Sequence, residues 1–220
     1  MSIRSAAGVA AAVLVLGGCI TVGSGPGGLV GSGSVTVEER SVGPFTALEV
    51  SHGMRLELVQ GTPARVTVKA QPNILRVITT NVSGGKLTVE ATRSYATSQM
   101  VLVSVTAPAV RELTLSGGVQ GTASKIDVPH LTVEASGGAI MTFSGRAGVL
   151  DLSASGGAIM EAGDLACTDA SVDLSGGVKA TVAASGSVKG NASGGVVLTV
   201  RGGPQAVDVN TSGGAVVVRQ

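Results

Sequence analysis

The stretch LTVEASGGAIM at residues 131–141 returns almost unchanged as LDLSASGGAIM at residues 150–160. Its centre, Ser-Gly-Gly, occurs six times, and consecutive serines are 18 to 20 residues apart. These serines are Ser116, Ser136, Ser155, Ser175, Ser193 and Ser212. A near-constant period of this kind is typical of repeat architectures, in which each repeat buries its apolar face against its neighbours.

The residues before each of these serines alternate between apolar and polar side chains. Positions one, three and five residues before the serine are mostly apolar or small, whereas those two and four before it are always polar. Such alternation predicts a strand with one buried and one solvated face. A second strand follows each glycine pair, and its first inward column is Val119, Ala139, Ala158, Val178, Val196 and Ala215.

Each repeat therefore consists of a strand, a glycine corner, a second strand, a turn and often a short third segment. We expect an all-β fold, a single-stranded parallel β-helix (solenoid) with coils of about 19 residues marked by the Ser-Gly-Gly corners. Meandering hairpins are the alternative, but hairpins do not require the same residue at a fixed position of every repeat.

The six repeats span residues 111–220. Residues 35–110 have strand patterns without the repeat, and we expect irregular N-terminal coils of the same domain, 35–220.

The composition agrees with this fold and excludes several classes of protein. Of the 220 residues 34 are Gly, 44% are hydrophobic, 13% are charged and three are aromatic. This hydrophobicity argues against disorder, and so much Gly argues against a helical protein. The 15 Lys and Arg against 14 Asp and Glu give no attraction to phosphate backbones, and Trp is absent. We therefore expect no binding of nucleic acid.

The N-terminus has the features of a lipoprotein signal. Residues 1–18 contain Arg4 and an apolar segment of eleven residues, which is too short for a membrane span and typical of a secretory signal. The sequence LGGC at residues 16–19 resembles a bacterial lipobox, which implies cleavage and lipidation of Cys19, with palmitate among the acyl chains. By resemblance to Gram-negative sorting rules, Ile20 after the cysteine implies the outer membrane. A plain signal peptide is the alternative.

A Gly- and Ser-rich tether follows the cysteine. Residues 19–34 have the composition of a flexible linker. We therefore expect a lipid-anchored protein of the bacterial outer membrane, facing the periplasm or the cell surface, with the bilayer as a partner through acylated Cys19. Cys167 then has no disulfide partner. It is expected to be a buried, small apolar residue, with a reactive thiol as the alternative.

Several motifs carry a resemblance to a known family. They are VGPF at 42–45, LEV at 48–50, LELVQG at 56–61, NIL at 73–75, the stretch 79–89 and the Ser-Gly-Gly array. Together they resemble the auto-transporter adhesin head domain, a bacterial family of unknown function, over about residues 37–220. The resemblance implies a β-helical domain of the cell envelope, and it supplies no catalytic residues.

One outward column departs from the polar pattern. Four residues after the serines stand Gln120, Ile140, Ile159, Lys179, Val197 and Val216. Alternation predicts that this column points outward, yet four of its six members are branched apolar residues. Either Ile140, Ile159, Val197 and Val216 form a contact surface for a subunit or partner, or the corner rotates these side chains into the core.

No catalytic residue, metal ligand or cofactor site is predicted. The outward carboxylates on one solvated face are Glu134, Asp151, Asp173 and Asp208. Paired carboxylates can hydrolyse glycosidic bonds, so a carbohydrate-active β-helix enzyme, a polysaccharide lyase or hydrolase, is the alternative. Asp151 and Asp173 lie in different columns, however, which favours a solvated strand face. His52 and His130 lie in no nucleophile motif.

The sequence therefore predicts a non-catalytic lipoprotein of the cell envelope with a β-helical interaction or structural module, and adhesion is one use of such a module. Beyond the bilayer, the partners considered are another envelope protein, a glycan and a second copy of the chain.

Overall fold

The computed structural model describes residues 28–220, so the signal segment, Cys19 and most of the tether lie outside the described residues. In chain order its N-terminal elements are β1 (Leu29–Val30), β2 (Thr36–Arg40), β3 (Ala47–Val50), β4 (Arg55–Gln60), β5 (Arg65–Ala70), α1 (Pro72–Leu75), β6 (Ile78–Ser83), β7 (Lys86–Ala91), β8 (Tyr95–Ala96) and β9 (Leu102–Ala107). The regular part contains β10 (Glu112–Leu115), β11 (Gln120–Ala135), β12 (Ile140–Gly156), β13 (Ile159–Gly176), β14 (Lys179–Gly194), β15 (Val197–Arg201), β16 (Ala206–Gly213) and β17 (Val216–Arg219).

Successive coils of the regular part pair in parallel and form a rod. Met141 of β12 lies beside Gly121 of β11 on one side and beside Met160 of β13 on the other. The result is a β-solenoid of about five turns. The predicted fold class is therefore confirmed, and the meandering-hairpin alternative does not apply to the repeats.

Each coil has three walls. The first wall consists of the segments before the Ser-Gly-Gly corners, the second wall of the segments after them, and the third wall of the short segments that lead back to the first. In the coil built by β12, residues 140–144 lie in the second wall, 145–149 in the third and 150–154 in the first. Side chains that point inward from the three walls share one continuous core.

The core follows the sequence pattern closely. The first inward column after the corner is buried at Val119, Ala139, Ala158, Val178 and Val196. Ala215 is only half-buried, because it lies in the last coil of the described chain and is covered on one side alone. Within residues 111–220, Phe143 is the one aromatic side chain in a core of small and branched residues, and 1% of its surface is exposed.

The Ser-Gly-Gly corners stack on one another, which explains their constant sequence. The first glycine of each corner has a φ between 68° and 86°, which side chains disfavour. A Cβ added to Gly137 would lie only 2.9 Å from the carbonyl oxygen of Gly117 in the coil below. The second glycine, Gly138, donates its N–H to that same oxygen at 2.9 Å. Close backbone approach and positive φ together require glycine here.

A seventh corner precedes the six Ser-Gly-Gly corners. Ser51-His52-Gly53 lies directly under the corner at Ser116, whose N–H donates to the oxygen of Val50 at 3.1 Å. His52 occupies the position of the first glycine and has a φ of 65°. The sequence pattern missed this corner because a histidine replaces the glycine.

The N-terminal part is not a simple series of coils. In the first wall the strand order is β6-β7-β3-β10-β11, and in the second wall it is β2-β5-β9-β4-β11. The pairs β2–β5, β5–β9 and β6–β7 are antiparallel. The coil formed by β3 and β4 is therefore inserted between β7 and β9 on one side and β10 and β11 on the other. Sequence alternation did not predict these antiparallel pairs.

Short elements close the N-terminal end of the rod. Helix α1 buries Ile74 and Leu75. Residues 29–34, which the sequence analysis assigned to the tether, are attached to this end: β1 pairs with β8, and the N–H of Ser32 donates to Oδ1 of Asn73 at 2.9 Å. None of the helices in residues 28–220 has the length and apolar character of a membrane span.

Candidate contact surfaces and an apolar hollow

The apolar column lies on the outside of the second wall. Gln120, Ile140, Ile159, Lys179, Val197 and Val216 are consecutive partners in the parallel register. The exposed fraction is 40% for Ile140, 38% for Val197 and 51% for Val216, and Ile159 is half-buried. The corner does not rotate these side chains into the core, because the neighbouring columns at Ala139 and Met141 already occupy the inward positions.

A second outward column runs beside the first. Its members are Thr122, Thr142, Glu161, Thr181, Thr199 and Val218, of which Thr181 is buried. We call the two columns together the second-wall face. Its apolar character is strongest towards the C-terminal end, where Val197, Val216 and Val218 are exposed. Lys179 is the charged interruption in the apolar column. The parallel register makes this a regular surface across several coils.

The carboxylates of the enzyme alternative lie on the first wall and are not paired. Asp151 has Thr132 and Ser171 as its neighbours in register, and Asp173 has Ser153 and Asn191. Glu134 lies beside Thr114 and Ser153, and Asp208 beside Lys189. Each carboxylate thus stands next to a hydroxyl, amide or ammonium group in its column. This register gives no support to the carbohydrate-active enzyme.

Asp151 has a hydrogen-bond partner, His130, that the sequence did not predict. Nε2 of His130 lies 2.6 Å from Oδ2 of Asp151. Both side chains are about half exposed, at 52% and 41%, so the contact is a surface hydrogen bond of small energetic value. Within residues 28–220, no three His, Cys, Asp or Glu side chains are grouped closely enough to hold a metal ion.

Cys167 is buried in the third wall. Only 6% of its surface is exposed, and its thiol donates to the carbonyl oxygen of Ala183 at 3.1 Å. Burial, together with the nearby charge of Asp169, raises the pKa of the Cys167 thiol to about 11. A neutral thiol of this kind is a poor nucleophile. The prediction of a buried, small apolar cysteine is confirmed.

An apolar hollow of about 720 Å³ lies near the N-terminal end of the rod. It is enclosed by the segment Ser41–Thr46, by the start of β5 and by the link between β9 and β10. Phe45, Val66 and Ala107 are its buried lining residues, and Val42 and Ala109 are half-buried. The sequence gives no sign of this hollow, because it depends on the order in which the N-terminal strands are stacked.

Gln60 closes the edge of the third wall next to the hollow. Its Nε2 donates to the oxygen of Asp127 at 2.9 Å, and its Oε1 accepts from the N–H of Asp127 at 2.9 Å. The side-chain amide therefore replaces the peptide group of a missing neighbouring strand. Without Gln60 both backbone groups of Asp127 would lose these partners.

Comparison with protein families now identifies the group to which this architecture belongs. The family described as "Putative auto-transporter adhesin, head GIN domain" matches residues 44–204. The chain belongs to this family. The resemblance seen in the sequence motifs is thus confirmed. A search of curated proteins gives no match to the chain.

Solved structures of the same fold share little sequence with this adhesin-family chain. A putative adhesin from Bacteroides fragilis is 15% identical with a TM-score of 0.71, over 88% of this chain and 100% of that chain. A putative lipid binding protein from Parabacteroides distasonis is 13% identical with a TM-score of 0.55, over 87% and 99%. A putative adhesin from Parabacteroides merdae is 14% identical with a TM-score of 0.52, over 87% and 98%.

Membership of the adhesin family indicates an envelope-associated protein, and the description of the family points to a non-catalytic module.

Proposed function

We propose that the chain is a lipid-anchored interaction module of the cell envelope, which uses its second-wall face to hold another envelope protein. The observation that carries this proposal is the register of Ile140, Ile159, Val197 and Val216, which lines up apolar side chains on the outside of a regular sheet. Aligned, solvent-exposed apolar side chains are typical of a protein contact surface.

The chemistry of the face favours a protein over a glycan. Branched aliphatic side chains alternate with threonines, and this mixture suits the apolar core and polar rim of a protein interface. The described part of the chain has few aromatic rings on which sugars could stack: Phe45 and Phe143 are buried, and Tyr95 in β8 is half-buried. Tyr95 instead donates its hydroxyl to the oxygen of His52 at 3.1 Å.

Site-specific photo-crosslinking in intact cells tests the contact surface. A photoreactive amino acid placed at Ile159 is expected to capture a specific protein, which mass spectrometry identifies. Ser171 is the matched control, because it lies in the same strand, β13, but points outward from the first wall. No adduct from Ile159, or the same adducts from both positions, would contradict the proposal. An adduct between two copies of the chain would identify the partner as a second copy.

The lipid anchor is tested separately. The motif LGGC at residues 16–19 supports acylation of Cys19 and attachment to the outer membrane. Labelled palmitate is expected to enter the wild-type protein and not the Cys19→Ala variant, and the variant is expected to leave the membrane fraction. Cys167→Ala is the control that should retain the label. Equal labelling of wild type and Cys19→Ala would contradict anchoring at Cys19.

A further inference from the structure

The hollow lies where the third wall of the rod is missing. In the regular coils the third wall closes the core with inward side chains such as Ile126, Val128 and Leu165. Near the N-terminal end the chain passes from β4 into β5 without forming a third-wall segment. The strand β9 reaches β10 through only four residues, 108–111. The segment Ser41–Thr46 spans the gap, but about 720 Å³ remains between it and the core.

The lining of the hollow is a continuation of the hydrophobic core. Val66 and Ala107 are each 1% exposed and Phe45 is 8% exposed, so they belong to the core beneath the hollow and offer little surface to it. Val42, Pro44 and Ala109 supply the accessible apolar surface of the hollow. The volume lies within the range of about 300–1,000 Å³ that is usual for pockets that bind small molecules.

The guanidinium groups of Arg40 and Arg65 at the hollow each have a carboxylate partner through Nη2, whereas the buried Nε of Arg40 has no hydrogen-bond partner. Nη2 of Arg65 lies 2.8 Å from Oε2 of Glu39. Nη2 of Arg40 lies 3.1 Å from Oε2 of Glu38 and donates to the oxygen of Leu75 at 3.0 Å. Because each guanidinium group has a carboxylate partner, the hollow presents balanced charge around an apolar floor. Its electrostatic complement is an uncharged, apolar group rather than an ion.

We propose that this hollow binds the aliphatic chain of a single-chain amphiphile, which takes the place of the missing third wall. The chain lies against Val42, Pro44 and Ala109, and its headgroup remains in solvent at the rim beside Arg65 and Glu39. Recognition therefore depends on chain length and not on the charge of the headgroup. Each added methylene is expected to tighten binding about fourfold until the hollow is filled.

A fluorescent fatty acid, dansylaminoundecanoate, is the probe that tests this site on the purified full chain with Cys19→Ala, which carries no acyl chains of its own and serves as the wild-type reference for the hollow. It is expected to bind at one saturable site and to be displaced by dodecanoate and by dodecyltrimethylammonium at concentrations within about threefold of each other. Octanoate is expected to displace it much more weakly than dodecanoate. The competitors are used below their micelle concentrations, so that only single molecules are present.

Substitutions that fill the hollow locate the site. Ala109→Trp and Ala64→Trp place an indole in it and are expected to weaken binding at least about tenfold. Ala64 is exposed at the rim, so its variant keeps the test valid if Ala109→Trp fails to fold. Ala166→Trp is the matched control, because Ala166 is an exposed alanine on the outside of the third wall. Its binding is expected to equal that of the wild type.

Three results would overturn the proposal. They are the absence of saturable binding by the wild type, unchanged binding by folded Ala109→Trp and Ala64→Trp variants, and a preference of more than about tenfold for one headgroup charge. These outcomes leave the second-wall face untouched, so the amphiphile site and the protein contact surface are tested independently.

Discussion

The two ends of the rod are closed in different ways. At the N-terminal end, antiparallel strands and helix α1 cover the core, and Val66 and Val68 of β5 are 1% and 0% exposed. At the C-terminal end a single coil covers the core. The inward residues of this coil, Val207, Val209, Ala215 and Val217, are only half-buried around a hollow of about 430 Å³. The difference shows that the inward side chains of a coil are fully buried only when another layer covers the coil on both sides.

Both ends nevertheless place charge on the inner side of an edge strand. Glu38 and Arg40 of β2 are opposite Val68 and Val66 and so share their inward face. At the other end Arg219 is opposite Val200, in an inward column, and its Nη2 donates to the oxygen of Val207 at 3.2 Å. Inward-pointing charges on edge strands prevent further strands from adding. The N-terminal end thus combines burial with charge, whereas the C-terminal end depends on charge alone.

A matched pair of valine truncations should show the largest difference between the ends. Val68→Ala removes two methyl groups from a fully buried site and is expected to cost about 2 kcal/mol of unfolding free energy. Val209→Ala removes the same groups from a half-buried site and is expected to cost less than about 1 kcal/mol. Urea denaturation measures both. Equal losses would show that the C-terminal coil is as well packed as the N-terminal end.

The Gln60 cap should give the next largest effect. Gln60→Ala leaves the N–H and carbonyl of Asp127 without their partners and is expected to cost about 1–2 kcal/mol. Gln205→Ala is the control, since Gln205 is exposed and contacts its neighbour, Gly186, through its backbone N–H. Urea denaturation of the two variants should separate them. An equal effect would mean that the third wall needs no cap at its N-terminal edge.

Loss of the inward charge at the C-terminal end should promote self-association. Arg219→Val leaves a run of apolar residues on β17 and frees the oxygen of Val207. Light scattering is expected to show an average mass that rises with concentration, by up to about twofold. Arg201→Val, an exposed arginine on the neighbouring strand β15, is the control and should not change the mass. A monomer at all concentrations in Arg219→Val would show that the charge is not needed.

The last prediction concerns Cys167, which lies between the two ends and whose effect is absent at neutral pH. Because folding raises the pKa of this thiol from 9.0 to about 11, its neutral form is favoured in the folded state. Its contribution to stability is complete below about pH 9 and is lost as the pH rises towards about 11. The free energy of unfolding should therefore fall across this range more steeply in wild type than in Cys167→Ala. Parallel curves would show that the centre of the rod opens readily enough to solvate the thiol.

The regular coils could be predicted from the sequence because the same type of residue returns at several positions of every repeat. Val133 and Glu134 alternate in the same way as Leu152 and Ser153, and the glycine corners require one backbone geometry. The sequence left open whether the column that contains Ile140 points outward or inward. The alternation of polar and apolar residues predicted an outward direction, whereas the apolar character of the column predicted an inward one. The structure resolves the direction through the neighbours of Ile140, because Ala139 and Met141 take the two inward positions.

The N-terminal end could not be predicted in the same detail. RVTVKA in β5 alternates as clearly as any strand of the repeats, yet it pairs antiparallel to both of its neighbours. Alternation shows which side chains share a face and not which strand lies alongside. The hollow depends on that order of strands, and the Gln60 cap depends on a contact between residues 67 positions apart. Neither leaves a local pattern in the sequence.

The inserted coil of β3 and β4 has a consequence for how the chain reaches this structure. Glu112 pairs with Ala47, which lies 65 residues earlier, whereas its other partner, Thr132, lies only 20 residues later. Closing the long loop is the slow step, because many residues must be ordered before the contact forms. Every later coil closes a loop of about 19 residues onto an existing template. We therefore expect folding to begin with assembly of the N-terminal end and to proceed towards the C-terminus, in the order in which the chain is synthesised.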